Sequence, residues 1–387
     1  MNKNRLVFCS LAVISLLLMP AVMHPIAAST QVGPLPVSPS MIPPIIPGTS
    51  TSILPTIPDL GTVSLALPVQ VFTISKVNSG LILSDPLTNE TATQQQLAAE
   101  RGYWTYGGDA PAEGAPFDFY KDTQGLHIGV QAPADNTWAG YYAESQNTQG
   151  KLFHAVITTP VSSVSTITNP TWYENGLYVQ TSQPFINYVT CFSLTGAWGT
   201  QWSVVSVTGN ANQATQEKVL WTDTSANQPL TRDCTIITNG DNYLKVYLDG
   251  NMVYQSNNLH LQMPEPFNSY LEPQSSYSGQ MLNGIYKDYY ATTDENIKVT
   301  NNPIGASQVD LVVPNSSGSG TVVATAPVDS SGTATIEVGE FDMPLGAYIK
   351  VYNGAGLELA STSSPVNIYG GDQYSVSSLL GLGIGGL

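Results

Sequence analysis

From Val69 to about Pro303 the chain is a succession of short runs rich in β-branched and aromatic residues, cut by Gly, Asn, Asp and Pro, with helical periodicity nearly absent. That pattern confines it to an all-β fold. Strands are expected at Leu126–Gln131, Gly140–Glu144, Leu152–Thr158, Gly176–Thr181, Trp202–Thr208, Asp233–Thr238, Tyr243–Leu248 and Met252–Gln255, and one helix at Thr91–Arg101. Asn239-Gly240 and Asp249-Gly250 are strong hairpin dipeptides, because both central residues of a type I′ turn need positive φ. Between them Leu244, Val246 and Leu248 alternate with Tyr243, Lys245 and Tyr247, which makes one strand face apolar and the other half polar.

The segment Tyr243-Leu-Lys-Val-Tyr-Leu-Asp-Gly-Asn-Met-Val-Tyr resembles the paired strands of the concanavalin A-like lectin/glucanase superfamily, laminin-G-type modules included. Phe117-Asp-Phe-Tyr, Gly125-Leu-His-Ile-Gly-Val and Trp138-Ala-Gly-Tyr-Tyr fit the early strands of such a jelly roll. The resemblance implies a fold with more force than a chemistry. Glucanases of the superfamily carry Glu-x-Asp-x-x-Glu on one strand, placing nucleophile and acid about 5 Å apart. That strand is not found here. Glu340-Phe341-Asp342 lacks the second Glu and is read as chance, and the adjacent Asp294-Glu295 is read as a solvated turn.

Around this core the chain divides into further segments. Lys3 and Arg5 precede an apolar run from Leu6 to Met23, with small residues at Ala27, Ala28 and Ser29, so residues 1–28 read as a signal peptide. The alternative is an uncleaved membrane anchor. Residues 29–68 are rich in proline, among them Pro34, Pro36, Pro39, Pro43 and Pro44, and read as an extended spacer. Residues 69–303 form the jelly-roll sandwich. Residues 304–378 carry seven short runs (Gln308–Val313, Thr321–Ala326, Thr333–Val338, Ala347–Tyr352, Leu357–Ala360, Val366–Tyr369 and Gln373–Val376), expected to form a smaller immunoglobulin-like or prealbumin-like sandwich. Residues 379–387 are an apolar, Gly-rich tail, read as a frayed end or as a strand for self-association.

Composition narrows function. Twelve Lys and Arg against 28 Asp and Glu give a net charge of -16, which removes any electrostatic case for nucleic acid. Charged residues are only 10% of the chain, against about 25% in ordinary soluble domains. Three histidines lie beyond the leader, His127, His154 and His260, with no pair at zinc-ligand spacing and no Gly-x-Ser-x-Gly elbow. His127 and His154 fall within strands and read as packed. Cys191 and Cys234, the only cysteines beyond the leader, are expected to form a disulfide in an oxidising compartment.

The aromatic content is the best functional lead. Sugar rings stack on exposed aromatics while neighbouring polar groups read their hydroxyls. Trp104, Tyr106, Asp109, Trp138 and Tyr141 lie in or beside turns and are the candidate binding residues, whereas Trp202 opens a strand that looks like core. No cofactor is expected. Calcium is the one candidate ion, with Asp109, Asp118, Asp122 and Asp135 as oxygen donors but no EF-hand spacing among them. The resulting expectation is a secreted or cell-surface protein of two β-sandwiches that binds a polysaccharide or glycoconjugate at the cell envelope. The rival readings are a secreted glycoside hydrolase, lyase or acid peptidase of the kind that uses this sandwich with Glu and Gln, and a structural subunit of an envelope or filament. Asn89-Glu-Thr91 and Asn315-Ser-Ser317 are acceptor sequons, while Asn169 is blocked by Pro170. The intact mass of native material is expected to show cleavage near Ala28 and sugar on Asn89 or Asn315; a full-length mass without sugar would count against export and glycosylation together.

Overall fold

In a computed structural model of the chain, the described residues are 71–99, 104–108, 117–132, 139–145, 149–161, 167, 172–181, 187–210, 213–223, 225, 228–276, 281–316 and 320–379. The leader and spacer, Asp109, Trp138 and the tail beyond Leu379 therefore lie outside them. Numbered in chain order, the strands run from β1 (Val71–Asn78) to β24 (Gln373–Leu379), with one short helix, α1 (Gln94–Ala99). That helix falls inside the expected one. It opens on a reciprocal cap, in which Thr93 N–H donates to the Gln96 side chain at 2.8 Å and Gln96 N–H donates back to the Thr93 hydroxyl at 3.4 Å.

Two antiparallel sheets form the sandwich. The first has seven strands in the order β11 (Gln213–Thr222), β10 (Gly199–Asn210), β9 (Tyr188–Gly196), β8 (Trp172–Thr181), β15 (Phe267–Ser275), β6 (Ala139–Ser145) and β3 (Trp104–Gly108). The second runs β14 (Asn251–Ser256), β13 (Leu244–Leu248), β12 (Thr231–Thr238), β7 (Leu152–Thr158), β16 (Leu282–Thr292), β5 (Gly125–Val130) and β4 (Phe117–Asp122), with β2 (Leu81–Asp85) also on β16. Between them lies one apolar core, to which the inward faces supply Phe153, Ile236, Leu177, Val189, Trp202 and Leu271 among others.

The Cys191–Cys234 disulfide crosses this core from β9 to β12 and so ties one sheet to the other. Trp202 is fully buried, as expected, and its indole N–H donates to the Pro229 carbonyl at 2.8 Å. The turn at Asp249-Gly250 has φ of 51° and 70°, the positive pair that type I′ geometry requires. Asn239-Gly240 departs from expectation. Only Gly240 has positive φ, and the connection is a longer loop in which the Asn239 side chain accepts from the Asp241 and Tyr243 amides, both at 3.0 Å.

A third sheet of nine strands runs β19 (Thr321–Pro327), β18 (Ala306–Val313), β21 (Leu345–Asn353), β22 (Glu358–Ser361), β1, β24, β17 (Asn296–Thr300) and β20 (Ala334–Glu337), with β23 (Val366–Ile368) on β21. All seven runs expected beyond residue 304 are strands. The expected boundary at 303/304 is nevertheless corrected, because β1 and β17, both from within 69–303, belong to this sheet. β1 fills the gap between β22 and β24, and Val71 stands opposite Leu379 in an antiparallel register, so two edges that would otherwise be open are paired. The buried Asp372 carboxylate fastens the insertion by accepting from the Gly80 and Tyr369 amides, each at 2.9 Å, while Lys76 pairs with it.

The nine-stranded unit packs on the outer face of the second sheet. Leu152, Ile237, Tyr247 and Tyr290 from that face join its core. The half-polar face of β13 therefore meets protein instead of solvent. Lys245, held there, pairs with Glu295 at 2.9 Å and with Glu337. Glu295 is buried, which overturns its reading as part of a solvated turn: the sequence does not show that Lys245 and the Tyr243 hydroxyl wait for it.

Replacing Cys191 and Cys234 together by Ser is expected to cost roughly 4 kcal/mol by the loop-closure argument, and Trp202→Ala about 3 to 5 kcal/mol. Denaturant melts of the two variants against the oxidised parent measure both.

Candidate functional site

The outer face of the seven-stranded sheet carries a second cluster of rings. Strand β8 alternates: Tyr173, Leu177 and Val179 enter the sandwich core, while Trp172 and Tyr178 face the other way. Tyr188, Phe192 and Leu194 of β9, Val205 and Val207 of β10, and half-buried Trp198, Val219 and Tyr270 complete that outer cluster. Tyr178 stacks on Tyr270 with ring centres 4.7 Å apart and meets Tyr188 edge-on at 5.7 Å, and Tyr142 of β6 meets Tyr270 at 6.2 Å.

Into this aromatic floor the strand register sets acids and an amide. Glu174 of β8 stands directly opposite Gln274 of β15, and Glu272 stands opposite Gly176. All three side chains are buried. The Tyr178 hydroxyl donates to Glu174 Oε1, and Gln274 Nε2 donates to the Tyr178 oxygen at 3.4 Å. Burial pushes the Glu174 carboxyl up to about 7; the Tyr178 hydrogen bond offsets part of this, and the charge of Glu217 adds to it. Glu217, on β11, is itself raised by burial. Beside Glu174, Gln274, Glu217 and Thr190 lies a cavity of about 20 Å³, room for about one water molecule. Glycine is needed at position 176, where a Cβ would come within 2.7 Å of Phe192 Cβ.

An acid that keeps its proton close to neutrality, placed next to a water-sized space and an amide, can donate a proton to a leaving atom or orient a polar substrate group. Of the rings around it, half-buried Trp198, Tyr270 and Tyr142 keep some surface for stacking.

The residues expected to bind are placed differently. Trp104 is 5% exposed and belongs to the sandwich core, where its indole N–H donates to Asp85 Oδ2 at 3.0 Å and its ring meets Tyr289 edge-on at 4.7 Å. Tyr141, 2% exposed, is also core. Both are corrections to the rim assignment. The cause is the phase of β3 and β6, whose Trp104 and Tyr141 turn inward, leaving Tyr142 on the outer cluster. Tyr106 lies on β3 opposite Ala143, and Asp109 and Trp138 are outside the described residues. Of the acids considered for calcium, Asp118 and Asp122 sit on β4, and Asp122 accepts from the Gln124 amide at 2.7 Å and meets His127 Nε2 at 3.0 Å. Asp109 and Asp135 are outside the described residues. His127, stacked on Tyr120, and His154, stacked on Tyr290, are packed within the sheet as expected. Asn89 and Asn315 are both exposed.

The sequence held one unread signal of the Glu174 site. Trp172-x-Glu174-x-Gly176-x-Tyr178 and Tyr270-x-Glu272-x-Gln274 each repeat at period two, which puts rings and polar groups on one strand face.

No family model matches the chain, and no curated protein matches it. Among solved structures it is similar to a glycoside hydrolase family 16 endo-glucanase from Bacteroides ovatus, at 12% identity and TM-score 0.37 over 54% of this chain and 98% of that one. It is similar also to beta-agarase A from Zobellia galactanivorans, at 11% identity and TM-score 0.38 over 61% and 97% of the two chains. A third is the carbohydrate binding module CBM66 from Bacillus subtilis, at 10% identity and TM-score 0.31 over 49% and 95%. These likenesses are shallow, and the sandwich rests on its own strand order.

Trp104→Ala is now expected to cost about 3 to 5 kcal/mol in stability, as core aromatic truncations do. Thermal melts measure it.

Proposed function

We propose that this is an exported protein that holds an extended polysaccharide along the outer face of the seven-stranded sheet. One observation carries the reading: half-buried Trp198, Tyr270 and Tyr142, over a floor of buried rings, share that face with Glu174, Glu272 and Gln274. Such a surface offers stacking to sugar rings and hydrogen bonds to their hydroxyls. Export is supported by the leader and by the oxidised Cys191–Cys234 pair. In this reading the proline-rich spacer and the nine-stranded unit, taken as an immunoglobulin-like docking module, present the sandwich at the cell envelope. Asn89 and Asn315 are its glycan acceptors.

Glu174 favours a second use of the same face. Protonated below about pH 7, it would act as general acid in hydrolysis of a bound polymer, giving its proton to the leaving atom while water supplies hydroxide to the other side of the broken bond. Gln274 would orient water or the polar group under attack. As the group acts in its protonated form, activity falls as pH rises through about 7.

Retention on immobilised polysaccharides, with and without calcium, tests binding. Tyr270→Ala and Trp198→Ala are expected to weaken it several-fold, since a stacked ring contributes on the order of 1 kcal/mol; unchanged retention in both variants would reject the face. Reducing-sugar and casein-release assays across pH test hydrolysis. Glu174→Gln is expected to keep retention and the fold while abolishing product; turnover that survives this change would leave binding alone.

A further inference from the structure

Where the second sheet meets the nine-stranded unit there is a cavity of about 340 Å³ whose polar wall is formed from both sides. His154 of β7 and Asp233 of β12 come from the sandwich, and Asp342 comes from the loop between β20 and β21. One ligating atom of each, an imidazole nitrogen and two carboxylate oxygens, lies within 4.8 Å of those of the other two. His154 Nδ1 and Asp233 Oδ1 are 3.1 Å apart. Ligands held at about 2.0 to 2.2 Å from one ion, at tetrahedral or octahedral angles, stand about 2.8 to 3.6 Å from each other, so that pair is already at coordination spacing. Asp342 is the exposed member and can close the remaining distance by turning about its own side-chain bonds.

His154 is 2% exposed, yet its ring lines the cavity. Its register neighbours hold it: Thr235 Oγ1 of β12 is 2.9 Å from Nδ1, and the Tyr290 ring of β16 stacks on the imidazole at 4.3 Å. Both polar contacts fall on Nδ1, and Nε2 has no hydrogen-bond partner among the described residues. A ligating histidine divides its two nitrogens in this manner, one for an ion and one for a hydrogen bond.

We propose that His154, Asp233 and Asp342 bind one divalent transition-metal ion of the zinc type, and that this ion fastens the nine-stranded unit to the sandwich.

The charge around the cavity calls for a cation. Asp288 adds a third carboxylate to the wall, from the point where β16 bulges between Lys287 and Tyr290. No lysine or arginine lines the cavity among the described residues. Arg232, the neighbour of Asp233, is engaged with Asp249 at 3.2 Å and Asp223 at 3.5 Å. Elsewhere on the same interface Lys245 stands between Glu295 and Glu337 and balances them. Three carboxylates around one cavity without such a partner repel one another, and a divalent ion removes that repulsion. The imidazole decides the kind of ion. Calcium and magnesium take oxygen ligands, whereas one nitrogen with two carboxylates suits zinc and its first-row neighbours. Three protein ligands leave a tetrahedral ion one position, which water or Asp288 can fill from the cavity. Since the ligands come from both units, whatever binds all three joins them and stabilises the joint by mass action.

The test strips the full chain with EDTA, dialyses the chelator away and titrates zinc by calorimetry, with calcium and magnesium as comparison ions. One zinc per chain is expected, with neither comparison ion matching its affinity. Asp342→Ala, at an exposed loop position, is expected to weaken zinc about tenfold or more, since loss of an outer-shell partner alone has an effect of that size. His154→Ala is expected to do the same, and Asp233→Asn takes its place if that variant does not fold. The fastening is read separately, by hydrogen exchange at residues 340–343 with and without zinc. Protection is expected to rise in that loop and to stay unchanged in β9, beside the disulfide. No zinc uptake, calcium or magnesium held as tightly as zinc, or full zinc affinity in folded Asp342→Ala would overturn the site. Zinc that binds without slowing exchange at residues 340–343 would overturn its role in joining the two units.

Discussion

The central strands of the second sheet, β7, β12 and β13, are largely buried on both faces, and the rest of the molecule is arranged around that constraint. Their inward side chains, such as Phe153, Ile236 and Val246, face the first sheet across the core. Their neighbours one residue along, Leu152, Ile237 and Tyr247, lie under the nine-stranded unit. A one-residue slip of any of these strands would exchange the two sets, so each layer fixes the register for the other. Polar groups trapped in the second interface must be paired there. Lys245 with Glu295 and Glu337 is such a pairing, made by opposite charge.

The first sheet meets a different condition. Its outward side chains are as apolar as a core over much of β8, β9 and β10, yet Glu174, Glu272 and Gln274 are set among them. Burying carboxyls without cations destabilises a fold unless they keep a proton or gain a ligand. Burial raises the Glu174 carboxyl to about 7, so it holds its proton through the acid range up to near neutrality. Perturbed acids gather at functional sites for this reason, and the aromatic floor gives such a site something to hold.

Strand existence was largely legible because so many segments alternate or are bounded by Gly, Asn and Asp. Leu152–Thr158 is legible to the residue, and all seven runs past residue 304 are present. Strand β9 carries no legible signal. Both its faces are buried, so Thr190, Ser193 and Thr195 alternate with nothing solvent-facing and no period-two signal appears. Strand β16 is hidden as well, for it is interrupted at Asp288, whose φ is 51°. Proximity to a turn misled the reading of Trp104, since what fixes that ring is a buried acceptor, Asp85, that sequence does not place beside it. The Glu174–Gln274 pairing was hidden for another reason: it joins β8 to β15, two strands far apart in the chain that only the sheet order makes neighbours.

The insertion of β1 beside β24 also governs the order in which the chain can assemble. Thr73 and Ser377 bond across a separation of 304 residues, so the sheet that covers the sandwich is not complete until Ser377 has emerged. Every strand of the sandwich has been synthesised by Thr292, and until β24 arrives Leu152, Ile237, Tyr247 and Tyr290 have no finished layer above them. Contacts of such long range form slowly, and an uncovered apolar sheet face is prone to aggregate. A chain cut short before β24 would therefore lose more than one strand: β1 would lose its antiparallel partner, and the layer over the sandwich would be left open between β22 and β17.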